Sequence, residues 1–278
     1  MIKESINKIK DELLSEIERN VYDMNSCEKQ YITLAYDLHH EYSELKYSIC
    51  EDNRFVYDIM QIVNRNLQKV LYYLLIPDNE ALHWCFRILT ENYIILGFLL
   101  KHKDCVKNWY AWVENIILNN KPEIVNELKS NSSNPSSYEF SNFYKEWKAD
   151  FLKLYIEINK SDKGFDKLLR EPYGWAFPVL TSKRNLFEIA KVSALEGRLK
   201  GKIILDISTH SNCFLQSISL RTSEKTVISC VETSNIIREY VFLLYDIIDN
   251  DCKNQAKNVI KLCDKIGHKF IAKDKNDQ

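Results

Sequence analysis

Six glycines and five prolines are all the tight-turn punctuation in 278 residues, and that scarcity restricts the fold more than any other feature. A sandwich or barrel turns every few residues and builds most of those turns on Gly, Pro or Asn-Gly chemistry. Long helices need few such residues. The apolar pattern agrees, because Ile2, Ile6, Ile9, Leu13, Ile17 and Val21 recur at three and four residues as one stripe of a helix. Tyr31, Leu34, Leu38, Tyr42, Leu45 and Ile49 form a second stripe. Phe55, Ile59, Val63, Leu67, Val70 and Leu74 form a third, and the near-heptad rhythm of both predicts an antiparallel helix pair.

Pro77-Asp78-Asn79 stops the third helix and offers a cap for the next. Residues 80–101 place Leu82, Trp84, Phe86, Ile88, Leu89, Tyr93, Ile94, Leu96 and Leu99 around nearly the whole circumference, which predicts a buried central helix. Trp109, Tyr110, Trp112, Val113, Ile116 and Ile117 continue the core, and Pro122 can open a short helix. The Ser/Asn-rich run 130–137 reads as a linker or loop between helical halves 1–129 and 138–270, unless the two form one continuous domain. After it, Phe140, Phe143, Tyr144, Trp147, Phe151, Leu154, Tyr155 and Ile158 return to helical spacing. Pro172-Tyr173-Gly174-Trp175-Ala176-Phe177-Pro178 cannot be a regular helix and reads as an ordered connection anchored by Trp175. Helices are expected over 182–196, 199–219, 225–249 and 254–266, with a fraying end from Lys273. The β-branched segment 225–231 has no visible partner strand and is read as helix. The sum is an all-α, multi-helix bundle of about ten helices.

Thirty-eight basic residues against 39 acidic ones leave a net charge of −1, without the global positive field of non-specific nucleic-acid binding. The longest strongly apolar stretch, Tyr93 to Leu100, is far shorter than the ~20 residues that span a bilayer, so no membrane association is expected. Met1 to Arg19 is amphipathic and lacks the apolar core of a secretion signal. The eight cysteines contain no CxxC spacing and read as reduced thiols of a cytoplasmic protein.

Arg87 and Glu91 lie four apart on the helix expected at the centre, so they share a face. Buried charges are costly unless well paired, so the two mark either a structural salt bridge or a pocket. Asp206 and His210 repeat the spacing, and a carboxylate one turn from an imidazole fixes its tautomer and raises its basicity. An ordinary capped or surface histidine has the same appearance. Glu80-x-x-His83 and Asp37-x-x-His40 resemble parts of a di-iron motif, but the full carboxylate set is missing from the pattern. No Gly-rich phosphate loop, HExxH or GxSxG occurs, which argues against a P-loop NTPase, a zincin or a standard α/β-hydrolase and leaves any cofactor unassigned. The aromatics Trp109, Trp112, Phe143, Trp147 and Trp175 have the spacing of nucleobase stackers but also of core.

Arg87-x-x-x-Glu91 in an aromatic-rich helix, Tyr173-Gly174-Trp175-Ala176, and a helix ending in His210 after Ser208 together resemble a widespread bacterial all-helical family of unknown function. The resemblance spans about residues 55 to 245. The later family helix reads Tyr-x-x-x-Ser-x-x-x-His, and here Lys202 stands at the Tyr position and Asp206 at the Ser position. The resemblance implies a helical fold and a mobile-element or phage-defence setting, and supplies no reaction. The leading expectation is therefore a defence- or stress-associated protein in which Arg87 and Glu91 meet Asp206 and His210 around a pocket for a small ligand or protein partner. In the enzyme alternative, a hydrolase or nuclease, His210 is the general base, Asp206 orients it and Arg87 stabilises an anion. A scaffold or homo-oligomerisation module would instead present an exposed apolar helix face.

Overall fold

Among the residues described by the structure, a computed structural model covering 2–45, 54–76, 78–120, 136–195 and 222–276, there are ten α-helices and no strand. They are α1 Ile2–Asp23, α2 Ser26–Ser43, α3 Arg54–Leu75, α4 Asn79–Lys101, α5 Asp104–Asn120, α6 Ser136–Asn159, α7 Phe165–Arg170, α8 Leu186–Val192, α9 Thr222–Leu243 and α10 Lys253–Asn276. The all-α class read from the glycine and proline scarcity is the class observed. The short helix expected at Pro122, the helix expected over 199–219, and most of the 130–137 linker lie outside the described residues.

The chain divides into two compact units, one made of Met1–Tyr93 with Ser208–Gln278 and the other of Ile94–Ile207. The first unit packs α2 against α3, α9 and α10, with α9 along α10 and α1 on α3. Its interior is built from the expected stripes: Tyr31, Leu38 and Tyr42 of α2, and Phe55, Ile59, Val63, Val70 and Leu74 of α3 are buried. The start of α2 is fixed by a capping box, in which Asn25 Oδ1 accepts from the Glu28 amide at 3.0 Å and Glu28 Oε2 accepts from the Asn25 amide at 2.9 Å. The buried side of α9 is lined by Ser229, Cys230, Thr233 and Ser234 as well as Ile237 and Val241. Two of its hydroxyls are satisfied within the helix, Thr233 donating to the Ser229 carbonyl at 2.7 Å and Ser234 to that of Val231 at 2.8 Å. The β-branched segment 225–231 is thus helical, as read.

In the second unit α5 packs against α6, α7 and the 3₁₀ turn Gly174–Ala176. Ala111, Trp147, Phe151, Tyr155, Phe165, Leu168, Leu169 and Phe177 make its core. Trp175 is 1% exposed and meets Phe98 edge-on at 5.3 Å, so the irregular segment is anchored as the sequence implied. A Cβ added at Gly174 would run into the Leu168 carbonyl, which is why that turn requires glycine. Gly97 serves a similar end. Its carbonyl accepts from the Ala194 amide at 2.9 Å, and a Cβ there would lie 2.6 Å from Leu195 Cδ2. Trp109, Trp147 and Trp175 are all core, so most of the aromatic stripe packs rather than stacks on a ligand.

Candidate functional site

Asp78 Oδ1 accepts from the Ala81 amide at 3.0 Å and starts α4, the helix that carries Arg87 and Glu91. Every residue from Tyr93 to Leu99 is buried, as expected of a central helix. The preceding three turns differ. Leu82, Cys85 and Leu89 face inward, but Trp84 is 51% exposed and Arg87 is exposed with it. The expectation that Arg87 is a buried charge is therefore corrected. Placing the guanidinium in water avoids the desolvation cost that a buried position would impose, and the apolar count around the helix was misleading because Trp84 lies on the outer side. The Arg87 guanidinium sits over the Trp84 indole, 5.3 Å from the ring centre. Glu91, one turn on, is half-buried.

Behind this exposed ridge, within the first unit, the inner side of α4 is tied to α9. Tyr240 is wholly buried and donates its hydroxyl to the Leu89 carbonyl at 2.7 Å. Tyr93 meets the Tyr240 ring edge-on at 5.1 Å. Burial, and then the nearby Glu239 carboxylate, push the Tyr93 phenol well above its usual range. Glu239 is 3.5 Å from Arg238, whose other amino group reaches Asp264 at 3.2 Å. Sequence spacing singled out neither tyrosine, because an apolar ring and a hydrogen-bonded one have the same periodicity.

The Cys85 thiol is pushed up by burial and drawn down in part by the Lys69 ammonium of α3. On α2, burial holds the His39 imidazole below its usual range, with Asn64 of α3 opposing the shift and His40 adding to it. In the second unit His102 Nε2 lies 3.1 Å from the Val192 carbonyl, and its ring tilts on Phe98 at 4.7 Å. Asp37 and His40 are exposed, and among the described residues no three His, Cys, Asp or Glu side chains gather as a metal site would require. Asp206 and His210, the other expected pair, lie outside the described residues.

Chemically, the ridge offers an exposed cation stacked on a half-exposed indole, which suits recognition of an anion carrying a flat or apolar group. No helix among the described residues is long and apolar enough to cross a membrane. Compared with family models, with curated proteins and with solved structures, the chain matches none.

Proposed function

We propose that this protein is a helical binding protein that recognises an anionic ligand or partner through the outer ridge of α4, with Arg87 supplying the charge and Trp84 the contact surface. The observation that carries the reading is a tryptophan 51% exposed beneath an exposed guanidinium. A large aromatic held in water forgoes burial worth about 2 kcal/mol or more, and exposed tryptophans of this kind are enriched where partners dock. Glu91, one turn along the same helix, is proposed as a further member of the site. The cytoplasmic, defence- or stress-associated setting implied by the resemblance of residues 55–245 belongs to the same proposal, and the spacing of the cysteines supports its cytoplasmic part.

The test is a panel of three polyanions at low salt: inorganic tripolyphosphate, a twelve-residue polyglutamate peptide and a twelve-nucleotide oligouridylate. Binding of any of them should quench the Trp84 emission and be lost in Arg87→Gln at unchanged melting temperature. Silence across the panel overturns the reading, as does a melting temperature lowered by several degrees in Arg87→Gln, since that would make the arginine structural.

A further inference from the structure

Lysine recurs at every fourth position of α10, at 253, 257, 261, 265, 269 and 273. The inner side of the helix carries Ala256, Val259, Cys263 and Ile266, all buried in a unit where α10 packs on α2 and α9. Away from that side, the exposed residues between 254 and 268 are Asn254, Lys257, Asn258, Lys261, Lys265 and His268, a face of one helix with no carboxylate and no apolar side chain. Lys253 stands apart, because its ammonium is taken up by the carbonyl and ring of Tyr245. Like charges one turn apart weaken a helix. Lys153 and Lys191 offset their charge with an acid one turn earlier, Asp150 at 3.1 Å and Glu188 at 3.0 Å. Lys257 and Lys265 have no carboxylate three or four residues away, and the one so placed for Lys261 is Asp264, which is held by Arg238 of α9 at 3.2 Å. The three lysines therefore concentrate positive charge on one helix of a chain whose net charge is −1.

This surface does not depend on the α4 ridge. We infer that the outward face of α10 docks on the phosphate backbone of double-stranded nucleic acid, without reading its sequence. From Lys257 to Lys265 the helix rises about 12 Å, a length over which one strand of a duplex presents about three or four phosphates. Each lysine meets a phosphate as a point charge, and the amides of Asn254 and Asn258 are donors for the same oxygens. What the face lacks decides between polyanions. It carries no exposed ring, so unpaired bases find nothing to stack on and a single strand gains no advantage over a duplex. A helix that lies on an anionic membrane buries an apolar side in the lipid, whereas the apolar side of α10 is spent on the core. An acidic peptide brings charge without a fixed repeat. The lack of a global positive field keeps the binding weak and sensitive to salt rather than forbidding it.

Fluorescence anisotropy of a labelled twenty-base-pair DNA duplex tests the inference on the full chain. The duplex should bind at 50 mM salt, and with three phosphate contacts the affinity should fall roughly fortyfold by 200 mM. Lys261→Gln alone should lower the slope of log affinity against log salt by about 1. Lys257→Gln, Lys261→Gln and Lys265→Gln together should abolish binding while the melting temperature holds or rises, because repulsion along the helix is relieved. The same three positions changed to Arg should keep the duplex bound. Duplex binding that survives the triple glutamine variant overturns the inference, as does binding of equal strength to the unpaired strand, to phosphatidylserine vesicles or to a twelve-residue polyglutamate peptide. Binding lost in Arg87→Gln but kept in the lysine variant would belong to the α4 ridge, so the inference falls while the reading of that ridge stands. Silence toward the duplex at 50 mM salt overturns the inference as well.

Discussion

Arg87 and Tyr240 show how the same helix can host two opposite uses of a polar group. Tyr240 is wholly buried with its hydroxyl on the Leu89 carbonyl, so Tyr240→Phe should cost about 1 kcal/mol in urea denaturation. Arg87 is exposed, so Arg87→Ala should change stability by no more than about 0.5 kcal/mol, against the roughly 3–5 kcal/mol lost on breaking a buried charge pair. His39 gives a pH prediction. Its folded-state pKa is lowered from 6.5, chiefly by burial, so on acidification the unfolded chain takes up this proton first. Stability should be level above pH 6.5 and fall as pH drops from 6.5 through the depressed value. His39→Gln should remove that part of the slope, and an unchanged slope in thermal melts would show that the imidazole is not the group responsible.

Helices were legible where one apolar stripe ran unbroken. α3, Arg54–Leu75, and α4, Asn79–Lys101, follow the spacing almost to the residue. The expected helix 182–196 shrinks to Leu186–Val192, and only part of the reason is local. Arg184 spends its side chain on Glu171 Oε2 at 2.8 Å and the Thr181 carbonyl at 2.9 Å, which holds 181–184 in an irregular path, and Asn185 then caps the helix by accepting from the Glu188 amide at 2.9 Å. The Arg184–Glu171 bond, between residues 13 apart, leaves no periodic trace. Two substitutions test the local devices. Asn25→Ala should cost about 1 kcal/mol by opening the capping box of α2. Gly174→Ala should lower the melting temperature by several degrees, because the new methyl meets the Leu168 carbonyl rather than a movable side-chain end. Of the expected site, the shared face of Arg87 and Glu91 was readable from spacing. The outward direction of that face was not, because a tryptophan counts as apolar whether it looks into the core or into water.

At the scale of the whole chain, a reading in linear order divides 1–129 from 138–270, whereas the compact units are Met1–Tyr93 with Ser208–Gln278, and Ile94–Ile207. Periodicity reports which face of a helix is apolar and is silent on which distant helix covers it. Tyr31 of α2 illustrates this: its phenol, pushed up to about 12 by burial first and then by Cys27 and Cys230, has a neighbour from the far end of the sequence. The cysteines make the division measurable. Cys230 and Cys263 in the first unit and Cys105 in the second are buried, and each is pushed up to about 12, mainly by burial. Iodoacetamide near neutral pH should therefore label the more accessible Cys27 first and reach those three only in denaturant. Rapid native labelling of Cys230 would mean that α9 opens from its unit far more readily than its packing implies.

The threading of the chain also sets an order of birth. Residues 94–207 are contiguous and can close their own core as soon as they leave the ribosome, while α1, α2 and α3 must wait for α9 and α10 to be synthesised. During that interval the α2 surface that α9 and α10 cover in the finished protein has lost nothing of its stickiness and has only α3 beside it. A stalled or truncated nascent chain lacking its last two helices is then the species most in need of a chaperone.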